Sequence, residues 1–171
     1  MAEDFESGEE KQPDEPIWEP PDDEGPPPRE DGNLEEKEVK VMGVYEHAEQ
    51  SSGQPAAFVL LRDARGRSVL IVIGKFEAMA ISLALEGHSA DRPLPYDLLN
   101  NVVNKMGGTV ERILIDDLWN NTYYAKVLLA TDGKTLEVDS RPSDAIALGL
   151  RARAPIYMAE AVLEKAAVQE E

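Results

Sequence analysis

The chain has 171 residues, a net charge of −17 and no cysteine. This length suits one domain with a tail, and the absence of cysteine excludes a disulfide framework, a thiol nucleophile and a thiolate metal centre. No apolar run approaches the length of a membrane span and the opening MAEDFESGEE lacks the apolar core of a signal peptide, so a soluble cytoplasmic protein with no membrane partner is expected.

The charge is unevenly placed. Residues 1–38 carry 16 Asp/Glu against 3 Lys/Arg, together with 7 of the 12 prolines. High charge, high proline content and few large apolar residues predict a disordered tail over 1–37, with the folded domain over 38–168. Ile17-Trp18 is an apolar pair inside that acidic run, either incidental or a short docking motif. The remainder of the chain has a net charge of only −4.

In chain order, Glu38 to Tyr45 reads as a strand and His47 to Pro55 as a loop. Ala57 to Arg62 and Ser68 to Ile73 read as a hairpin closed by Asp63-Ala64-Arg65-Gly66. Val69 to Ile73 is apolar at every position, which predicts cover on both faces. Glu77 to Glu86 reads as a helix with Met79, Ala80, Leu83 and Ala84 at helical spacing. Asp97 to Met106 is a second helix whose apolar stripe is Leu98, Leu99, Val102 and Val103. Thr109 to Leu118 and Thr122 to Ala130 alternate as strands around Trp119-Asn120-Asn121. Asp132-Gly133 then turns the chain into Thr135 to Asp139. A helix follows from Pro142, then a short strand at Ile156 to Met158 and a last helix from Glu160 to Ala167.

The expected fold is a single α+β domain, a mixed sheet with helices packed on it. Ala80-Ile81-Ser82-Leu83-Ala84-Leu85 echoes Ala145-Ile146-Ala147-Leu148-Gly149-Leu150, and each hexamer follows two strands joined by an Asp/Gly turn. Two strand–strand–helix halves are the expectation, and a different strand order in the two halves would sink it. A small sheet with an all-apolar strand also predicts a homodimer or higher homo-oligomer.

The stretch Arg141 to Arg151, RPSDAIALGLR, is the point to which the chemistry converges. Pro142 suits a first helical turn, and Ser143 and Asp144 suit the same turn as cap acceptors or as charges facing the positive helix end. Asp139, Arg141, Ser143 and Asp144 therefore crowd one strand-to-helix corner. Such a corner holds an anion on free N–H groups or a cation on carboxylates. In the plainer alternative, Ser143 and Asp144 only cap and Arg141 pairs with Asp139.

RPSDAIALGLRARAPIYMAEAVLEKA resembles the closing segment of the bifunctional nuclease domain family. IGKFEAMAISLALEG (Ile73 to Gly87) and RPLPYDLL (Arg92 to Leu99) match it in the right order, and the resemblance spans about Val39 to Ala167. It implies a nuclease acting on DNA and RNA. Where the family usually shows Thr-His-Asp-Leu, this chain has Pro95-Tyr96-Asp97-Leu98.

A nuclease without cysteine and with few histidines works through carboxylates that hold Mg²⁺ or Mn²⁺. Asp139 and Asp144 are the expected metal ligands. Arg141 is the expected phosphate clamp, and Glu77 is the fourth catalytic candidate. Arg92, Asp97 and Ser143 are candidates for substrate binding, although Glu77 and Asp97 also suit ordinary helix-start acids. The alternative function is a non-catalytic regulatory or ligand-binding module on the same fold.

Overall fold

The computed structural model describes residues 35–48 and 55–168. The expected tail at 1–34, including Ile17-Trp18, lies outside the described residues. Glu36 and Lys37 do not belong to a tail, because the first strand begins at Glu36.

The elements run β1 (Glu36–Ala48), β2 (Pro55–Asp63), β3 (Ser68–Ile73), α1 (Lys75–Leu85), α2 (Pro95–Lys105), β4 (Gly108–Trp119), β5 (Thr122–Thr131), β6 (Lys134–Ser140), α3 (Pro142–Ala152), β7 (Ile156–Ala159) and α4 (Glu160–Ala166). The seven strands form one mixed sheet in the order β3-β2-β1-β7-β4-β5-β6. All neighbours are antiparallel except β4 with β7. The fold is therefore the expected α+β domain.

Local chemistry explains the turns. Gly66, Asp132 and Gly133 all take positive φ, as do Asn120 and Asn121. Glycine pays no steric penalty there, and Asn and Asp tolerate the left-handed region better than other side chains.

The strand order supports two related halves, each larger than the expected unit. Each half is a three-stranded meander followed by a helix: β1-β2-β3 with α1, and β4-β5-β6 with α3. The first strand of each meander lies innermost, on either side of β7. β1 is antiparallel to β7 and β4 is parallel to it, so the two meanders run in opposite senses. α1 and α3 pack against each other across this junction.

One apolar core joins the inner face of the sheet to α1, α3 and α4. It includes Val59, Leu61, Ile71, Ile113, Ile115 and Val127 from strands, Ile81 from α1, Ile146 from α3, and Leu163 from α4. Gly149 marks the closest helix–sheet approach. A Cβ there would stand 2.6 Å from Ile113 Cγ1, so the glycine is required by packing.

Three expectations about apolar faces are corrected by the structure. β3 is an edge strand covered on one face only: Val69, Ile71 and Ile73 are buried, but Leu70 is 46% and Val72 68% exposed. α1 turns Ala78 and Ile81 inward and leaves Met79 exposed. α2 buries no residue, and its stripe of Leu98, Leu99 and Val102 faces outward. The reason is common to all three: periodicity tells which residues share a face, while the neighbouring elements decide which face is covered.

Candidate functional site

The site is made where three helices begin. Glu77 is the third residue of α1, Tyr96 the second of α2 and Asp144 the third of α3, and their side chains meet around Arg141, the N-cap of α3. Arg141 Nε donates to Asp144 Oδ2 at 2.6 Å and Nη2 to Asp144 Oδ1 at 3.0 Å. Nη2 also donates to Glu77 Oε1 at 2.8 Å. The Tyr96 hydroxyl donates to Asp144 Oδ1 at 2.7 Å.

Each part has a local cause. Pro142 opens α3 and Pro95 opens α2 at positions where a missing N–H costs nothing. Gly74 caps α1, and Glu77 folds back over it: a Cβ at Gly74 would fall 2.2 Å from Glu77 Oε2. Gly74→Ala is thus expected to push the Glu77 carboxylate away from Arg141. Because the obstructing atom ends a flexible side chain, the melting temperature should hardly move while any activity of the site falls about tenfold. Thermal melts and turnover on the same sample check this, and an unchanged rate would remove Glu77 from the site.

The electrostatics follow from the convergence. The positive ends of α1, α2 and α3 all favour negative charge, which suits two carboxylates and leaves N–H groups for an anion. Hydrogen bonds from Arg141 to Asp144 and then Glu77 raise the guanidinium pKa further, so it stays charged. Burial, then the bond to Asp144, raises the Tyr96 pKa above its ordinary value. The phenol therefore stays protonated and acts as a donor, not as a base.

Among the expected site residues, Glu77, Arg141 and Asp144 come together, and Tyr96 joins them. Both Asp144 oxygens accept from side chains of the cluster, Oδ1 from Tyr96 and Arg141 and Oδ2 from Arg141. Arg141 does not pair with Asp139 in the way the plainer alternative requires. Asp139 does not meet Asp144 either. It stands opposite Lys126 on β6, on the sheet face that also carries Glu137, while the adjacent Val138 shares the face of buried Val127. The core face is where α3 packs, so Asp139 and Asp144 lie on opposite sides of the sheet.

Asp97 accepts from the Leu94 N–H at 3.0 Å, closing the start of α2, and lies 3.5 Å from Arg151 Nε. Ser143 is buried in the first turn of α3. Arg92 is exposed in the bend before α2. Among the described residues no group of three or more His, Asp or Glu side chains is placed to hold a metal. Tyr96 was legible as a neighbour of Asp97 but not as a partner of Asp144, 48 residues away.

The sequence pattern of the bifunctional nuclease domain matches residues 59–171, which include all four residues of the cluster. The chain belongs to the bifunctional nuclease domain family. It is 39% identical over 130 residues to an uncharacterised protein of Mycobacterium tuberculosis strain H37Rv, covering 75% of each chain. It is 26% identical over 115 residues to bifunctional nuclease 1 of Arabidopsis thaliana, covering 66% of this chain and 35% of the plant protein. For bifunctional nuclease 1 of Oryza sativa subsp. japonica the identity is 30% over 109 residues, covering 61% and 33%. The match to the plant proteins thus takes in about a third of their length. β1 lies outside the matched span of the family, although it pairs with β7 at the centre of the sheet. Among the described residues no helix is long and apolar enough to cross a membrane.

Proposed function

We propose that this bifunctional nuclease domain hydrolyses phosphodiester bonds of DNA and RNA at the Glu77–Tyr96–Arg141–Asp144 cluster. The observation that carries this reading is the meeting of three helix N-termini around an arginine that is 68% exposed. Helix N-termini and a guanidinium fork are both complementary to a phosphate. Arg141 meets the phosphate through Nη1, while Nε and Nη2, bonded to Asp144 and Glu77, hold the guanidinium in place. Water attacks phosphorus while a carboxylate takes its proton, and the bond to the leaving oxygen breaks as that oxygen takes a proton from solvent. Glu77 suits the role of that carboxylate, since Oε1 is engaged by Arg141 while Oε2 lies over Gly74.

Glu77 and Asp144, both bonded to Arg141, would be the oxygen donors to a Mg²⁺ or Mn²⁺ ion, with water completing its shell. Such an ion, when bound, acidifies a water and offsets phosphate charge. The test is cleavage of labelled single-stranded DNA and RNA across an Mg²⁺ and Mn²⁺ titration, with melting temperature followed in parallel. Arg141→Lys keeps the charge but loses the planar group that bonds Asp144 and Glu77 at once while leaving Nη1 for the phosphate, so KM should rise severalfold or more. A metal-dependent rise in melting temperature without cleavage would replace the nuclease reading by a non-catalytic binding module.

We also propose a homodimer built on the outer face of β1 to β3. Tyr45, Phe58 and Val72 stand opposite one another across three strands on that face, and Leu60 pairs with Leu70 beside them. Apolar side chains left in water on an edge strand favour a symmetric partner. Light scattering at micromolar concentration should give twice the monomer mass, and Val72→Lys should return it to monomer.

A further inference from the structure

Beside the cluster lies a second feature that phosphate binding does not use. Between α1 and α2 is a cavity of about 280 Å³. Its walls are mostly apolar, with Phe76, Met79 and Leu83 on one side and Pro95 and the Tyr96 ring on the other. Glu77 lines it too, so the cavity and the cluster share two residues, Glu77 and Tyr96. Phe76 is 74% exposed, although it is a large aromatic in the first turn of a helix. Lys75 Nζ stands 5.0 Å from its ring centroid. Arg151 forms part of the wall as well. Its Nη1 donates to the His88 carbonyl at 2.7 Å, but its buried Nη2 finds no acceptor among the described residues.

We infer that this cavity receives one unpaired base of a single-stranded nucleic acid whose adjacent phosphate lies at Arg141. The inference rests on the nuclease reading above and names its substrate class. Size comes first: the volume is at the small end for ligand pockets, which suits one ring system and is far too narrow for a helix about 10 Å across. Shape comes second. An exposed aromatic face and a polarisable thioether are stacking surfaces that every base can use. Polarity comes third. Glu77 and Arg151 place a carboxylate and a guanidinium in an otherwise apolar wall, and a base edge, unlike a wholly apolar occupant, carries donors and acceptors to meet them. Charge comes last: Lys75 stands over Phe76 and Arg141 bonds to Glu77, so two cations adjoin residues that line the cavity and suit a phosphate backbone. A base in a duplex is stacked and paired and reaches such a cavity only by leaving the helix. Single strands are therefore the preferred substrate.

The experiment uses a short labelled single strand and a set of copies in which one abasic residue is walked along the chain. For the full-length protein, one abasic position near the cleaved bond should lower kcat/KM about tenfold or more, the scale of one lost stacked base. In Phe76→Ala/Met79→Ala that penalty should shrink to about threefold or less. Both side chains are mainly exposed, so the variant should keep its melting temperature. If intact and abasic strands are cleaved equally by the wild type, the nuclease reading stands and the base pocket falls. The pocket also falls if the double variant keeps the full penalty. If nothing is cleaved, the nuclease reading falls, and equilibrium binding of the same strands decides the pocket: a position-specific abasic loss of affinity supports it, and uniform affinity overturns it.

Discussion

Asp144→Asn is expected to lower strand cleavage by about a hundredfold or more while the protein stays folded. Asp144 accepts three hydrogen bonds, one from Tyr96 and two from Arg141. An amide has a single acceptor oxygen, and its NH₂ group would face donors. The substitution therefore frees the Arg141 fork as well as removing a charge, and it makes a poor ligand for a hard dication. The fold should tolerate the loss. The Asp144 side chain is 30% exposed, and an ion pair open to water contributes about 1 kcal/mol or less. Single-turnover cleavage under saturating Mg²⁺, read beside the melting temperature, separates the two effects. A wild-type rate in this variant would make the cluster structural and move the search to Arg92 and Asp97.

The largest stability effect is expected far from the site, at Arg67. This residue ties the β2–β3 turn to the start of α4. Its Nε donates to Asp63 Oδ2 at 2.8 Å, and its two terminal nitrogens donate to the two Glu160 oxygens at 2.7 and 2.9 Å. Asp63 Oδ1 also accepts from the backbone N–H groups of Arg65 and Arg67. The Asp63 side chain is only 3% exposed, so Arg67→Ala leaves a buried carboxylate short of its charged partner. A loss of about 2–3 kcal/mol is expected from that group in denaturant unfolding.

The pH dependence should change with it. Burial pushes the Asp63 carboxyl up, but the hydrogen bonds from Arg67 and Arg65 outweigh burial and hold it below its ordinary value. Hydrogen bonding to Arg67 likewise lowers Glu160. A carboxyl whose folded pKa lies below its unfolded one stabilises the protein above the unfolded value, near pH 4, and loses that contribution as pH falls through the folded value. Wild-type stability should thus drop on acidification below about pH 4, and the drop should be shallower in Arg67→Ala. Parallel slopes in the two proteins would show that Arg67 does not hold those carboxyls down.

Much of the architecture was legible along the chain. Alternation marked the strands, and Asp63 to Gly66, Asn120-Asn121 and Asp132-Gly133 marked their turns, because a turn is specified by the φ that its own residues tolerate. Pro142 marked the start of α3 for an equally local reason. The echo of the α1 hexamer in α3 anticipated the paired meanders. The family was legible too, through three ordered segments inside or overlapping the matched span.

The site needed the tertiary structure. Glu77 and Arg141 are 64 residues apart, and no local signal says that the starts of α1 and α3 face one another across β7. Asp139 and Asp144 are neighbours in sequence, yet strand alternation turns Asp139 to the outer face while α3 packs on the inner one. Likewise Leu70, Val72 and the α2 stripe are apolar by composition and exposed by position. Local sequence determined which side chains share a face, since that depends on the backbone period alone. Which face meets which was decided only when the two meanders closed around β7 and brought three helix starts to one point.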